Sequence, residues 1–536
     1  MFKTALIFQS HMILQREKPL KVWGTADPGV QVEICIQGQT ADCTADETGN
    51  WCAQLAPLKA SEQEQMVIRA GAEEIVYTDI QVGDVFLAGG QSNMEFHMRY
   101  DADLQETLKT CEDDGLRFFD YPEVSYPGQI EEHDYLKNYG FWRKAAPDQL
   151  ERFSAPAYYF ARKIRKTAGV PVGIIGCNWG GTPACAWMNR EHILAGGGKI
   201  FLDEYEEAMK DLDVEAYWAA FQANPMNDRS DQLADPIGDL MLFGCTPEEF
   251  AAKLAEMGID ISAMDPAAFL PPVGPGYERR PSGLYESMLT QIAPYGLKGF
   301  LYYQGETDGD THPECYRTLF PELIRNWREL WGEELPFLFV QIAPLEQWME
   351  CCGRPYAIIR AAQQLTAETV PDTGMASTSD AGMRWDIHPK KKKPVGERLA
   401  LLAEKLVYGQ DVVCNAPVLR NVTKENTGEN RELVLYFDDA AEGLTLCGTT
   451  PYGEEIRADQ AGGLVLLQQD AEGAWQELDL SAAAAQAEGD VVRISGVCYD
   501  PEKPVRAELA QTGWYQVNLY NSAGLPARPS AAQTAE

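Results

Sequence analysis

From about residue 79 onward, short apolar runs alternate with longer stretches whose apolar residues recur at helical spacing. The runs "DVFLAGG", "PVGIIGCNWGG", "GLKGFLYYQGE" and "LPFLFVQIAP" read as buried strands. Among and after them, "APAYYFARKIRKTAG", "CYRTLFPELIRNWRELWG", "YAIIRAAQQLTAET" and "VGERLALLAEKLVYG" read as helices. Strands joined through helices make crossover connections, and crossovers build a parallel sheet. The pattern therefore predicts an α/β domain over residues 79–411.

The flanks have a different texture. Residues 1–78 alternate apolar and polar side chains, as in "LKVWGTADPGVQVEICIQGQ". Turn signals stand at Asp27-Pro28-Gly29 and Glu47-Thr48-Gly49-Asn50. A small β-sandwich-like domain is expected there. Residues 412–536 return to strand-like runs such as "ELVLYFDDA" and "WYQVNLYN", which predicts a C-terminal β domain. The tail "PARPSAAQTAE" is expected to be loose. One stretch, about 195–285, is polar and helical and ends in "LPPVGPGYERRPSG"; it reads as an insertion near the mouth of the sheet.

Charge excludes some partners. With 81 acidic and 45 basic residues, the formal net charge is −36. Nucleic acid and anionic membranes both require clustered positive charge, so neither is an expected partner. No apolar run approaches the roughly 18 residues of a membrane span. The first 20 residues show no basic region followed by a long apolar one. The 13 cysteines are odd in number and form no C-x-x-C pair. A cytoplasmic protein with reduced thiols is expected. Cys and His are not grouped as a zinc site would need. The sequence leaves a homo-oligomer open.

In an open α/β sheet, ligands bind at the carboxyl ends of the strands. Three expected strand ends carry unusual polar residues: Gln91-Ser92-Asn93, Gly180-Gly181-Thr182, and Gln304-Gly305-Glu306. A fourth stretch, "GMRWDIHPKKKKPVGERL", brings Asp386 and His388 just before a helix. Together these can supply an acyl-transfer site. A serine hydroxyl needs a base to take its proton, and the base needs an orienting acid. The oxyanion that forms needs donors already aimed at it. Ser92 is the candidate nucleophile, His388 the base and Asp386 its orienting acid. The candidate donors are the N–H groups of Ser92 and Gly181 and the side-chain amide of Gln304.

The chain has six histidines. His11 falls in the N-terminal β region, His133 in a polar stretch, and His192 at a helix start well past the second strand end. His97 is expected on the helix that Ser92 begins. His312, after the third strand end, is the rival to His388. A preceding carboxylate and a following helix favour His388.

The blocks "GGQSNMEF", "WGGTPACAW", "YYQGETD" and "DIHPKKKKPVGERLA" resemble the sialate O-acetylesterase family of SGNH-type hydrolases. The likeness extends to "HMILQREKPLKVWGTADPGVQVEI", "ADETGNWCAQLAPL" and "NLYNSAGLPARP", so it covers nearly the whole chain. It implies a flavodoxin-like, three-layer α/β/α catalytic domain flanked by β-sandwich-like domains, with no metal or organic cofactor. It implies an esterase that removes O-acetyl groups from sugars or oligosaccharides, with sialate, xylan-type and mannan-type substrates all open. A non-catalytic glycan-binding protein on the same scaffold is the alternative. The resemblance implies the same Ser92, His388 and Asp386 roles, with Glu306 as the alternative acid. Asn93, Arg99, Trp179, Trp187, Asp308, Arg360 and Trp385 are the candidates to meet the sugar. Arg360 could clamp a sugar carboxylate or hold Glu306 or Asp386 in place.

Overall fold

The computed structural model describes residues 2–132, 134–223, 227, 231, 236–244, 246–256, 272–427 and 430–534. His133 and much of the 224–271 part of the expected insertion lie outside the described residues. The chain is mixed α/β with several sheets and divides into two compact units. One comprises Met1–Thr307 with Thr318–Phe337, the other Asp308–Arg317 with Leu338–Glu536.

The first unit is organised by one long strand, Glu73–Gly90. Its first half is antiparallel to Ser61–Ala70, which pairs in turn with Gln31–Ile36. Its second half is parallel to Val172–Asn178 on one side and Gly299–Tyr303 on the other. Burial changes along it, from mostly exposed or half-buried up to Asp79 to wholly buried from Ile80. A strand covered on one face alternates, whereas one covered on both faces reads as a continuous apolar run. The expected domain boundary at residues 78/79 therefore falls inside a continuous strand, one residue before this change.

Beyond Val172–Asn178 lie Asp113–Asp120, parallel to it, and Trp142–Ala145, antiparallel at the edge. Neither was expected from the sequence. Charged residues interrupt "DDGLRFFD", and the buried Arg117 reads as a surface residue until its partners are seen. Its guanidinium donates to the carbonyls of His11 and Asp79 and to the Asp79 carboxylate. The chain leaves Glu73–Gly90 toward one side of the sheet and later returns on its other side to form Gly299–Tyr303. That makes the carboxyl end of Glu73–Gly90 the switch point, where open sheets form their ligand crevice.

Helix Ala155–Ala168 begins with a Ser154 cap whose Oγ accepts the Ala157 N–H, and ends at Gly169 in the left-handed conformation (φ 65°). Ser154 Oγ also donates to the Met94 carbonyl at 2.6 Å, tying this helix to the segment after Ser92. The described parts of the 195–285 stretch are helical, at Lys199–Met209, Val214–Ala223, Pro236–Phe243 and Pro247–Glu256.

From Leu338 on, the second unit takes most of strand Phe337–Val340 and its neighbour Thr373–Ala376, with helices Tyr356–Thr369 and Lys393–Leu406. From Val418 onward the described elements are all strands, including two four-stranded sheets around a core of Leu433, Leu435, Leu466, Val492, Val505 and Ala507. The expected loose tail is a correction: Ser530–Gln533 pairs with Arg506–Leu509, and Ser530 is buried.

Candidate active site

Ser92 opens a helix of only four residues, Ser92–Glu95, directly after the buried strand. Gly90 makes the turn possible. Its φ is +130°, and a Cβ there would stand 2.2 Å from the Tyr303 carbonyl oxygen. Gln91 and Asn93 on either side are buried, while Ser92 remains partly exposed. The serine is thus offered to solvent at the switch point by a backbone that only glycine permits.

Side chains near Ser92 lace the three strand ends of this unit together. Gln91 N–H donates to the Tyr303 carbonyl, and Trp179 N–H to the Gly90 carbonyl. Gln91 Oε1 accepts from Gly305 N–H and Thr307 N–H at 3.4 and 3.3 Å. Asn93 Nδ2 donates to Glu306 Oε1 at 2.6 Å. Glu95 Oε2 accepts the Gly180 N–H at 2.7 Å. A Cβ placed on Gly180 would lie 3.2 Å from Ser92 Cβ, so Gly180 packs directly on the serine. Gly181 has φ +74°, and a Cβ on it would lie 2.9 Å from Arg279 Nη2.

The sequence reading gave Gln91 no role and missed Glu95 and Arg279. The first two were in plain view beside Ser92, but their partners are distant in the chain. Arg279 lay in a Gly/Pro loop with no pattern to mark it.

The structure places three of the expected site residues. Gln304, proposed as an oxyanion donor, is buried and directs Nε2 to the Thr182 carbonyl at 3.3 Å. Trp187, proposed to meet the sugar, is fully buried and donates Nε1 to Thr182 Oγ1 at 3.0 Å. Its ring is part of the core under the "WGGT" loop. Arg360, in the second unit, is also fully buried. It donates to the main-chain carbonyls of Ala343, Thr512 and Gly513 and lies over the Tyr515 ring. Both roles expected for it, a sugar clamp and a carboxylate holder, give way to that structural one.

The histidines separate in the same way. His192 is buried between Glu322 and Glu329, at 2.8 and 3.0 Å. His11 pairs with Asp79. His97 is not on the Ser92 helix, which ends at Glu95; it precedes a short 3₁₀ turn, Met98–Tyr100.

His388 lies in the second unit, 5% exposed, with the Trp348 ring edge-on to its own at 5.1 Å. Burial holds its pKa well below the ordinary histidine value, and the nearby Lys390 and Lys392 push the same way. It is therefore a neutral imidazole at neutral pH, the form a general base needs. Asp386 Oδ1 accepts the His388 main-chain N–H at 2.8 Å but stands 3.7 Å from Nδ1. Its Oδ2 pairs with Lys390 at 2.9 Å. Asp386 thus bonds the main chain of the loop, and its 3.7 Å separation from Nδ1 exceeds a hydrogen bond. The loop is braced from the C-terminal strands' side of the unit. Tyr452 Oη donates to the Ala381 carbonyl at 2.9 Å, and Lys391 Nζ to the Pro451 carbonyl at 2.7 Å.

A family model described as "Carbohydrate esterase, sialic acid-specific acetylesterase" matches residues 273–403, a span that includes Gln304, Glu306, Asp386 and His388. The sialate O-acetylesterase of Mus musculus is 26% identical over 446 residues, 76% of this chain and 74% of its own. That of Homo sapiens is 23% identical over 451 residues, 76% of this chain and 72% of its own. The solved structure of a novel carbohydrate acetylesterase from Xanthomonas citri covers 99% of both chains, with a TM-score of 0.70 and 26% identity. The chain is thus similar to sialate O-acetylesterases over about three quarters of its length, and these similarities support a carbohydrate O-deacetylating esterase.

Proposed function

We propose that Ser92 is the nucleophile, and His388 its general base, in hydrolysis of acetyl esters on sugars through an acetyl-enzyme intermediate. The chain is a carbohydrate O-deacetylating esterase by kinship. The observation that carries the assignment of the nucleophile is the setting of Ser92. It is a partly exposed hydroxyl at the switch point, on a helix start, with Gly180 packed against it.

In the first step Ser92 Oγ attacks the acetyl carbonyl while His388 takes its proton. The same histidine then protonates the departing sugar oxygen. In the second step water, activated by His388, releases acetate. The N–H groups of Ser92 and Gly181 serve the oxyanion; the first N–H groups of a helix have no acceptor within it. Each such donor contributes roughly 2.7–4 kcal/mol. We assign the orienting carboxylate to Glu306 rather than Asp386. Asp386 is 3.7 Å from the ring and already engaged by Lys390, whereas Glu306 is a buried carboxylate positioned by Asn93 beside the nucleophile.

On the same reading, residues 79–411 form an SGNH-type three-layer domain, with residues 1–78 and 412–536 as flanking β domains. The parallel pairing of Glu73–Gly90 with two neighbours and the strand-only region after Val418 support it. Relatives named for sialate make O-acetylated sialic acids the first substrates to screen for acetate release. Acetylated xylo- and manno-oligosaccharides are the next. A serine-directed organophosphonate tests the nucleophile. The adduct is expected on the peptide containing Ser92; loss of activity with an adduct elsewhere contradicts the assignment.

A further inference from the structure

Trp385 is 63% exposed, more than any other large hydrophobic side chain among the described residues. It stands at the tip of a tight turn closed by a bridge between Met383 and Asp386. Such tips usually carry Gly, Asn or Asp, and an indole left in water there forgoes the gain from burial. The ring is held in place: the Arg384 guanidinium lies 5.1 Å from its centroid, and Arg384 pairs with Glu346 at 3.2 Å. A cation over one face leaves the exposure to the rest of the ring.

A second indole adjoins the same loop. Trp348 lies on a short hairpin, Gln347–Trp348 with Cys351–Cys352, and its ring is the one edge-on to His388. The main chain ties the two segments together, for Glu346 and Gln347 N–H both donate to the Arg384 carbonyl, at 3.0 and 3.3 Å. Both tryptophans therefore belong to the surroundings of His388.

The chemistry says what comes to that place. The histidine that takes the serine proton gives it to the leaving oxygen, so the departing sugar must bring that oxygen to His388. Only the acetyl group needs to reach Ser92. An indole presents a flat apolar face with a polar edge, which suits the C–H face of a pyranose rimmed by hydroxyls. We propose that Trp348 and Trp385 form a carbohydrate subsite beside His388. In it Trp348 meets the acetylated residue and Trp385 stacks on the next sugar, which makes an acetylated oligosaccharide the preferred substrate class. This rests on His388 being the base.

The test uses the full-length protein and its variants Trp385→Ala and Trp385→Phe. Acetate release is followed from an aryl acetate and from acetylated xylo-, manno- and sialyl-oligosaccharides. For the best oligosaccharide, Trp385→Ala is expected to lower kcat/KM relative to the aryl acetate by roughly ten-fold, mainly through KM, with Trp385→Phe recovering most of it. Equal losses on both substrates, or none on either, would overturn the subsite. Absence of aryl acetate hydrolysis by the unaltered protein would instead reject the esterase mechanism itself.

Discussion

Asn93 donates its side-chain amide to Glu306 across 2.6 Å, joining the residue after the candidate nucleophile to a carboxylate 213 positions later. Both side chains are buried. A buried carboxylate is tolerated only with partners, and one fixed beside a serine is placed to act on its chemistry. Replacing Glu306 by Gln keeps the shape and removes the charge. The expected loss in kcat on an aryl acetate is about 10³–10⁴-fold, as for other orienting acids. Asp386→Asn is expected to lose far less, because Asp386 contacts the His388 main chain and Lys390. Comparable kinetics for the two variants would remove Glu306 from its role.

The pH profile reads the base directly. Burial, then Lys390 and Lys392, lower the His388 pKa, while an orienting carboxylate acts to raise it. Burial is the largest effect, so His388 stays neutral as pH falls below about 6.5, the ordinary value. Activity should hold at pH 6.5 and fall only below it, as the base becomes protonated. On the proposed assignment of Glu306 as the orienting carboxylate, the acid limb in Glu306→Gln should move lower still. An acid limb above pH 7, or one that rises in that variant, would contradict this assignment.

Gly90 is the backbone device that exposes Ser92. In Gly90→Ala the added methyl meets the Tyr303 carbonyl at 2.2 Å and the residue keeps φ near +130°. Strain and overpacking together should cost at least about 2 kcal/mol, seen as a lower midpoint in denaturant. Gly181→Ala meets only the flexible end of Arg279 and should destabilise less. Similar midpoints for both variants would show that the turn at Gly90 is not under this constraint.

These relationships differ in how far the sequence revealed them. The strand before Ser92 was legible because a strand buried on both faces is a bare apolar run, as in Val85-Phe86-Leu87-Ala88. Helices such as Ala155–Ala168 were legible from their spacing, and the structure shows Ser154 and Gly169 at its ends. Asp113–Asp120 was not, because Arg117 is charged in sequence and paired only in space. The length of the Ser92 helix was also hidden. The residues up to His97 look helical, yet the helix stops at Glu95. At the site, residue types and the family resemblance pointed to Ser92, Gly181, His388 and Asp386. Only the 3.7 Å separation, with Lys390 on its other oxygen, distinguishes a carboxylate near a histidine from one that holds its ring. Trp187 and Arg360 misled for a shared reason: aromatic and cationic side chains suit sugars, but burial decides whether a sugar can reach them.

The most direct test of the whole mechanism is acetate release by Ser92→Ala beside the unaltered protein. It should be run on an aryl acetate and on the best acetylated sugar, with circular dichroism confirming the fold. Loss of at least about 10³-fold in kcat on both substrates is expected, leaving only what the donors and binding supply. Near-wild-type release from a folded Ser92→Ala protein would contradict the assignment of the nucleophile and everything built on it.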